Sequence, residues 1–188
     1  MTQADDIRQA LNILKDGGVI LYPTDTVWGL GCDATNSAAV ERLFSIKRRP
    51  DAKAMISLVD SIGTLRKWVR IIPDNALLEM AGTNRPLTVI YDHPLGIDSA
   101  LLAPDGSAAF RVPDYEFTRI LCAALEKPLV STSANVSGEP TPLSFDDIPE
   151  EIKTAVDYIC HEGRDRHGTK PSRVLKITDY NHLTVIRE

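Results

Sequence analysis

The sequence predicts one α/β domain built on a mixed sheet. Short apolar runs with strand character recur along the 188 residues. Stretches with helical spacing separate some of these runs, whereas others follow one another in hairpin-like order, and that combination calls for parallel and antiparallel neighbours in one sheet. No repeat, low-complexity segment or linker divides the chain, so residues 1–188 are expected to form a single domain, long enough to bury a full core.

Residues 4 to 16 read as a helix, with Ile7, Leu11 and Leu14 on one stripe and Gly17-Gly18 ending it. "VILY" follows as a strand. Ser37 to Arg48 is helical, with Val40, Leu43 and Phe44 at helical spacing, and "MISLV" at 55–59 is the next strand. Residues 62 to 81 hold two short helices separated at Pro73. "PLTVIY" (86–91) and "SAAFRV" (107–112) are strands around a loop rich in Pro, Asp and Gly. A helix at 114–126 leads into "PLVSTSAN". The tail holds a short helix near 148–155, a strand at "DYICHE", a charged loop with glycine, and strands "RVLKIT" and "LTVIRE".

Composition narrows the function. A hydrophobic share of 43% and a charged share of 25% are those of an ordinary soluble domain, and no apolar run reaches membrane-spanning length. The acidic amphipathic start "MTQADDIRQALNILKDGG" is not a secretory signal. Cys32, Cys122 and Cys160 are odd in number, far apart and without a C-x-x-C pair, which speaks against a disulfide framework or a structural zinc. A cytoplasmic, membrane-free protein is expected. The net charge of −5 argues against a nucleic-acid coat, though not against local basic patches.

One tempting motif fails. "GLGCDA" (29–34) fits G-x-G-x-x-[GA], but "PTDTVW" separates the glycines from the strand and the next helix begins at about Ser37, which is not the strand-to-helix turn of a dinucleotide fold. Walker A and H-E-x-x-H are absent. The four histidines show no ligand spacing and are expected in loops, so no protein-built metal site is expected.

Four stretches carry chemistry. "ILYPTDTVWGLGCD" (20–33) leaves a buried strand and at once presents Thr24, Thr26 and bare glycine backbone, which looks like one lip of a binding site. In "IKRRP" (46–50), Pro50 pushes Arg49 toward an extended conformation, in which Lys47 and Arg49 point the same way and Lys53 follows. A shared anion is one reason for such clustering; a solvated helix end complementing the macrodipole is the other. In "SAAFRV", alternation puts Ser107, Ala109 and Arg111 on one face and Ala108 and Phe110 on the other. Arg111 is then either a surface arginine on an edge strand or a fork for a ligand carboxylate or phosphate. "STSANVSGEPTP" (131–142) places Ser131, Ser133 and Asn135 on one face at the end of a core strand, small donors that suit a nucleotide or an amino acid.

Together these stretches resemble the YrdC-like family, the threonylcarbamoyl-AMP synthases of tRNA modification. "YPTDTVWGLGCDA", "KRRP", "RPLTVIY", "FRVPD", "STSANVSGEPTP" and "PSRVLKI" match that family's motifs in order and spacing, from the first helix to Arg187. The resemblance implies a strongly twisted mixed sheet with flanking helices and a large concave groove. It implies synthesis of threonylcarbamoyl-adenylate and pyrophosphate from L-threonine, bicarbonate and ATP with Mg²⁺, a downstream threonylcarbamoyl-transferase, and a weak contact with tRNA. Thr24, Arg111, Ser131 and Ser172 fall where the family holds L-threonine. Lys47, Arg49, Lys53, Ser107, Ser133, Asn135, Thr141 and Arg187 fall around ATP, with Lys47 and Arg49 expected to be catalytic by neutralising charge. Arg173 and Leu58 depart from the family pattern, and Arg187 aligns with about a residue of slippage.

Two rival readings stand beside this. Lys47, Arg48, Arg49 and Lys53 with Arg164, Arg166, Lys170 and Arg173 would line a groove for RNA phosphates in a non-catalytic accessory protein. A carbamoyl-adenylate enzyme of the hydrogenase-maturation type would use carbamoyl phosphate instead. The Gly-bearing, charged segment 161–171, "HEGRDRHGTKP", is a candidate lid.

Overall fold

The computed structural model describes residues 1–48, 55–179 and 182–188. Helix α1, Gln3–Lys15, starts at a capping box in which Thr2 accepts from the Asp5 amide and Asp5 reaches back to Thr2. It buries Ile7, Ala10 and Leu14 at helical spacing and stops before Gly17, whose φ of +80° suits glycine. Asp6 sits on the same buried face. Its carboxylate accepts from the Tyr158 hydroxyl at 2.6 Å and from the His161 and Glu162 amides at 2.8 Å, which compensates the burial of charge.

The other elements follow the expected order: β1 Ile20–Tyr22, β2 Gly29–Gly31, α2 Ser37–Ile46, β3 Ile56–Leu58, α3 Ile62–Trp68, α4 Asp74–Gly82, β4 Leu87–Asp92, β5 Ser107–Arg111, α5 Glu116–Leu125, β6 Leu129–Ser133, α6 Glu150–Ala155, β7 Tyr158–Ile159, β8 Arg173–Asp179 and β9 His182–Arg187. Among the described residues the strands form one sheet in the order β7-β1-β2-β6-β3-β5-β4-β8-β9. The pairs β1·β7, β3·β5 and β4·β8 are parallel and the rest antiparallel, so the sheet is mixed, as expected.

Strand β2 was not announced by the sequence. "GLG" has no strand propensity, but it pairs with β1 and β6 on its two sides. A Cβ on Gly31 would stand 2.6 Å from the Tyr22 ring and 2.8 Å from the Val130 carbonyl oxygen, so close approach selects glycine there. The glycines therefore lie within the sheet and not at a strand-to-helix turn, consistent with rejecting a dinucleotide fingerprint. His182 begins β9, whereas the other three histidines are in loops.

Two apolar cores flank the sheet. One gathers Ile7, Leu14, Leu43, Phe117, Leu121 and Ile152 from α1, α2, α5 and α6. The other gathers Leu65, Val69 and Ala76 from the α3–α4 region with Val89, Phe110 and Leu175. Among the described residues no helix is long and apolar enough to cross a membrane.

Candidate functional site

A groove of about 940 Å³ opens beyond the end of β5, and Asp25, Leu87, Phe110, Arg111, Arg119 and Lys170 are among its lining residues. Alternation along β5 sends Phe110 into the second core and leaves Arg111 on the opposite face. Arg111 is no surface residue. Its side chain is 3% exposed and pairs with Asp25, itself 5% exposed, at 3.1 Å from Nη2 to Oδ1. The contact is electrostatic: Asp25 Oδ1 and Arg111 Nε both lack a hydrogen-bond partner, while Asp25 Oδ2 accepts from the Asp114 amide at 3.2 Å.

Gly29 is the meeting point of two expected threonine contacts. A Cβ built there would lie 3.3 Å from Ser131 Oγ and 3.5 Å from Thr24 Cγ2. Thr24 also shapes its own loop, donating to the Val27 carbonyl at 2.7 Å and accepting from the Thr26 amide at 3.1 Å. The Tyr22 phenol is deeply buried nearby; desolvation pushes its pKa up, opposed by a hydrogen bond with Ser131 and by the charge of Arg111. Across the sheet, Ser172 Oγ lies 2.9 Å from Thr88 Oγ1, and Arg187 donates to the Ser172 carbonyl at 2.8 and 3.0 Å. Burial, and then the like charge of Arg111, lower the Arg187 pKa.

A second cluster forms where α2 ends. The expected extended run from Lys47 is corrected: Lys47 caps the helix in αR geometry and Arg48 turns left-handed at φ 50°. The reversal turns Lys47 inward and Arg48 outward to Glu151 at 2.6 Å. The Lys47 side chain, 1% exposed, donates to Ser133 O at 2.6 Å, Asn135 O at 2.8 Å and Asn135 Oδ1 at 3.3 Å. Ser133 Oγ donates to Asn135 Oδ1 at 2.5 Å. Arg49 and Lys53 lie outside the described residues.

Ser107 stands apart from both clusters. It donates from backbone and hydroxyl to Asp105, which also pairs with Lys176, and these contacts hold the Asp105 carboxyl well below the usual carboxylate range. Thr141 is exposed on the loop after the β6 turn. The structure therefore brings together Thr24 and Ser131, Ser172 with Arg187, and Lys47 with Ser133 and Asn135. Among the described residues, it does not bring Ser107 or Thr141 into contact with them.

A family model bearing the description telomere recombination, Sua5_yciO_yrdC, matches residues 12–188. The chain belongs to the Sua5/YciO/YrdC family. Its relatives in that family include the threonylcarbamoyl-AMP synthase of Vibrio cholerae, 34% identical with both chains covered in full. That of Xanthomonas euvesicatoria is 38% identical over 93% of this chain and 94% of its own. Among solved structures, Escherichia coli YciO superposes with a TM-score of 0.85 at 30% identity, covering 100% of this chain and 90% of YciO. Sua5 of P. abyssi complexed with L-threonine superposes at 0.87 with 27% identity, and this chain spans only 54% of its length. A full-length HypF structure shares the fold at 0.81 with 20% identity.

Within this Sua5/YciO/YrdC chain, several described cations of the accessory reading are engaged by other side chains, while Arg49 and Lys53 of that set lie outside the described residues. Arg173 pairs with Glu79 and Glu188, Arg164 lies over the Phe145 ring, and Arg166 lies over Tyr115. Segment 161–171 is fastened at both ends: Asp6 takes the His161 and Glu162 amides, and Thr169 donates to the Thr26 carbonyl at 2.7 Å. Asp25 is the site residue that sequence reasoning missed. Its signal was its place between Thr24 and Thr26, but its pairing with Arg111 joins segments far apart in the chain.

Proposed function

We propose that the protein is an L-threonylcarbamoyladenylate synthase that forms threonylcarbamoyl-AMP and pyrophosphate from L-threonine, bicarbonate and ATP. The observation that carries the reading is the convergence of Thr24 and Ser131 on bare Gly29 together with the buried, ion-paired Arg111 that lines the groove. Full-length relatives named threonylcarbamoyl-AMP synthase support it.

The chemistry needs few special groups. The ammonium of threonine gives up a proton, the free amine and bicarbonate form the carbamate and water, and the carbamate oxygen attacks the α-phosphorus of ATP as pyrophosphate leaves. Positioning two anions and offsetting the charge on the leaving group are the protein's main tasks. Arg111, Thr24, Ser131 and Ser172 would hold the amino acid. Ser133 and Asn135, propped by Lys47, would face the nucleotide, with Arg49, Lys53, Ser107, Thr141 and Arg187 around it. Lys47 adds positive charge beneath that turn. Among the described residues no group of three or more His, Cys, Asp or Glu could hold a metal ion. Mg²⁺ enters this reading as the companion of the ATP phosphates. A cytoplasmic setting, a transferase that collects the adenylate and a weak contact with tRNA complete the proposal.

The test is pyrophosphate release from ATP and Mg²⁺, with L-threonine and bicarbonate omitted in turn and Arg49→Ala as control. Release that requires both substrates and collapses in the variant supports the reading. A folded protein that releases no pyrophosphate under any combination overturns it.

A further inference from the structure

We infer that Asp25 is the receptor for the α-ammonium of the amino-acid substrate, one half of a zwitterion-reading pair whose other half is Arg111. The inference rests on the reading above and adds a residue to it.

Asp25 and Arg111 both line the groove, and both are almost wholly out of solvent. Ionised groups so buried need a partner of opposite sign and hydrogen bonds for their remaining lone pairs and protons. They have the first and only part of the second. Oδ1 and Nη2 are 3.1 Å apart, yet Oδ1 accepts no hydrogen bond and Nε donates none. The nearby hydroxyls do not fill the gap, because Thr24 is bound to Val27 and Thr26. The Asp114 amide holds Oδ2, so the carboxylate is oriented with its other oxygen left over.

A free α-amino acid supplies what each member lacks. Its carboxylate accepts from the Arg111 fork, and its ammonium donates to Asp25 Oδ1. Both charges enter together, so neither protein group is left buried and unpaired. A carboxylate without an amine would occupy Arg111 and strand Asp25. The pair thus selects amino acids over hydroxy acids or simple carboxylates, which a lone arginine cannot do.

The experiment is calorimetric binding of L-threonine and of 3-hydroxybutyrate, the same skeleton without the amine, to the wild-type protein and to Asp25→Asn and Asp25→Glu. The wild type is expected to prefer L-threonine by about tenfold or more, the effect of one charge-assisted hydrogen bond. Asp25→Asn is expected to lose that preference by weakening L-threonine alone, and Asp25→Glu to restore part of it. Thermal melting of each variant separates misfolding from lost recognition. If Asp25→Asn weakens both ligands equally, or keeps the preference, the inference is overturned while the synthase reading stands. If the wild type binds neither ligand and releases no pyrophosphate, the synthase reading falls, and the inference with it.

Discussion

The ammonium of Lys47 stands 2.6 Å from the carbonyl of Ser133 and 2.8 Å from that of Asn135, so the lysine at the end of α2 holds up the turn that follows β6. The Ser137 amide returns the contact by donating to the Lys47 carbonyl at 3.0 Å. Replacing Lys47 by Met keeps much of the volume but leaves buried carbonyls unsatisfied. The expected cost is about 2–4 kcal/mol of stability, with a larger rise in the KM for ATP than for threonine. Chemical denaturation and initial rates on each substrate check both parts.

Arg111 gives a contrasting pair of variants. Arg111→Ala leaves the Asp25 carboxylate buried without its cation and is expected to destabilise the fold by about 3–5 kcal/mol. Arg111→Lys keeps the charge but not the planar fork, so stability suffers less while affinity for threonine drops by about tenfold or more. Melting curves and calorimetric titration distinguish the two.

The neighbouring glycines separate fold from recognition. A Cβ at position 31 would meet a backbone carbonyl at 2.8 Å, so Gly31→Ala is expected to lower the melting temperature sharply. A Cβ at position 29 would meet its neighbours at 3.3 Å or more. Gly29→Ala should therefore fold nearly as well as the wild type, yet crowd the space between Thr24 and Ser131 and weaken threonine binding. Equal loss of melting temperature in both variants would contradict this.

Asp105 sets an acid dependence. Lys176 and Ser107 hold its carboxyl below the ordinary value of 3.8 in the folded protein. A depressed folded-state pKa contributes stability that is present above that ordinary value and is lost as the pH falls through the folded value. Asp105→Asn should therefore flatten the stability curve at its acid end, below about pH 4, and change little at neutral pH. The group is exposed, so the effect is small; urea midpoints across the acid range measure it.

Much of this molecule was legible from its residues. Helix α1 was readable because its cap, apolar stripe and terminal glycines agree, and the face of Arg111 followed from alternation beside Phe110. Strand β2 was not, because its pairing with β1 and β6 comes from tertiary contacts that glycine merely permits. The chain does not run extended from Lys47, because Lys47 still caps the helix and Arg48 takes a left-handed turn that decides where these two cations point. Asp25 went unnoticed for a different reason: its importance lies in an ion pair, and a partner on a distant strand leaves no periodic trace.

The strand order has a consequence for how the protein comes to exist. Asp25, Arg111 and Lys170 all line the groove, so it draws on segments far apart in the chain. Sheets that join distant segments close slowly, because a long loop must be ordered before its contacts reward it. A nascent chain thus lacks the groove through most of its synthesis, and the recognition surface is expected to be among the last parts to take shape.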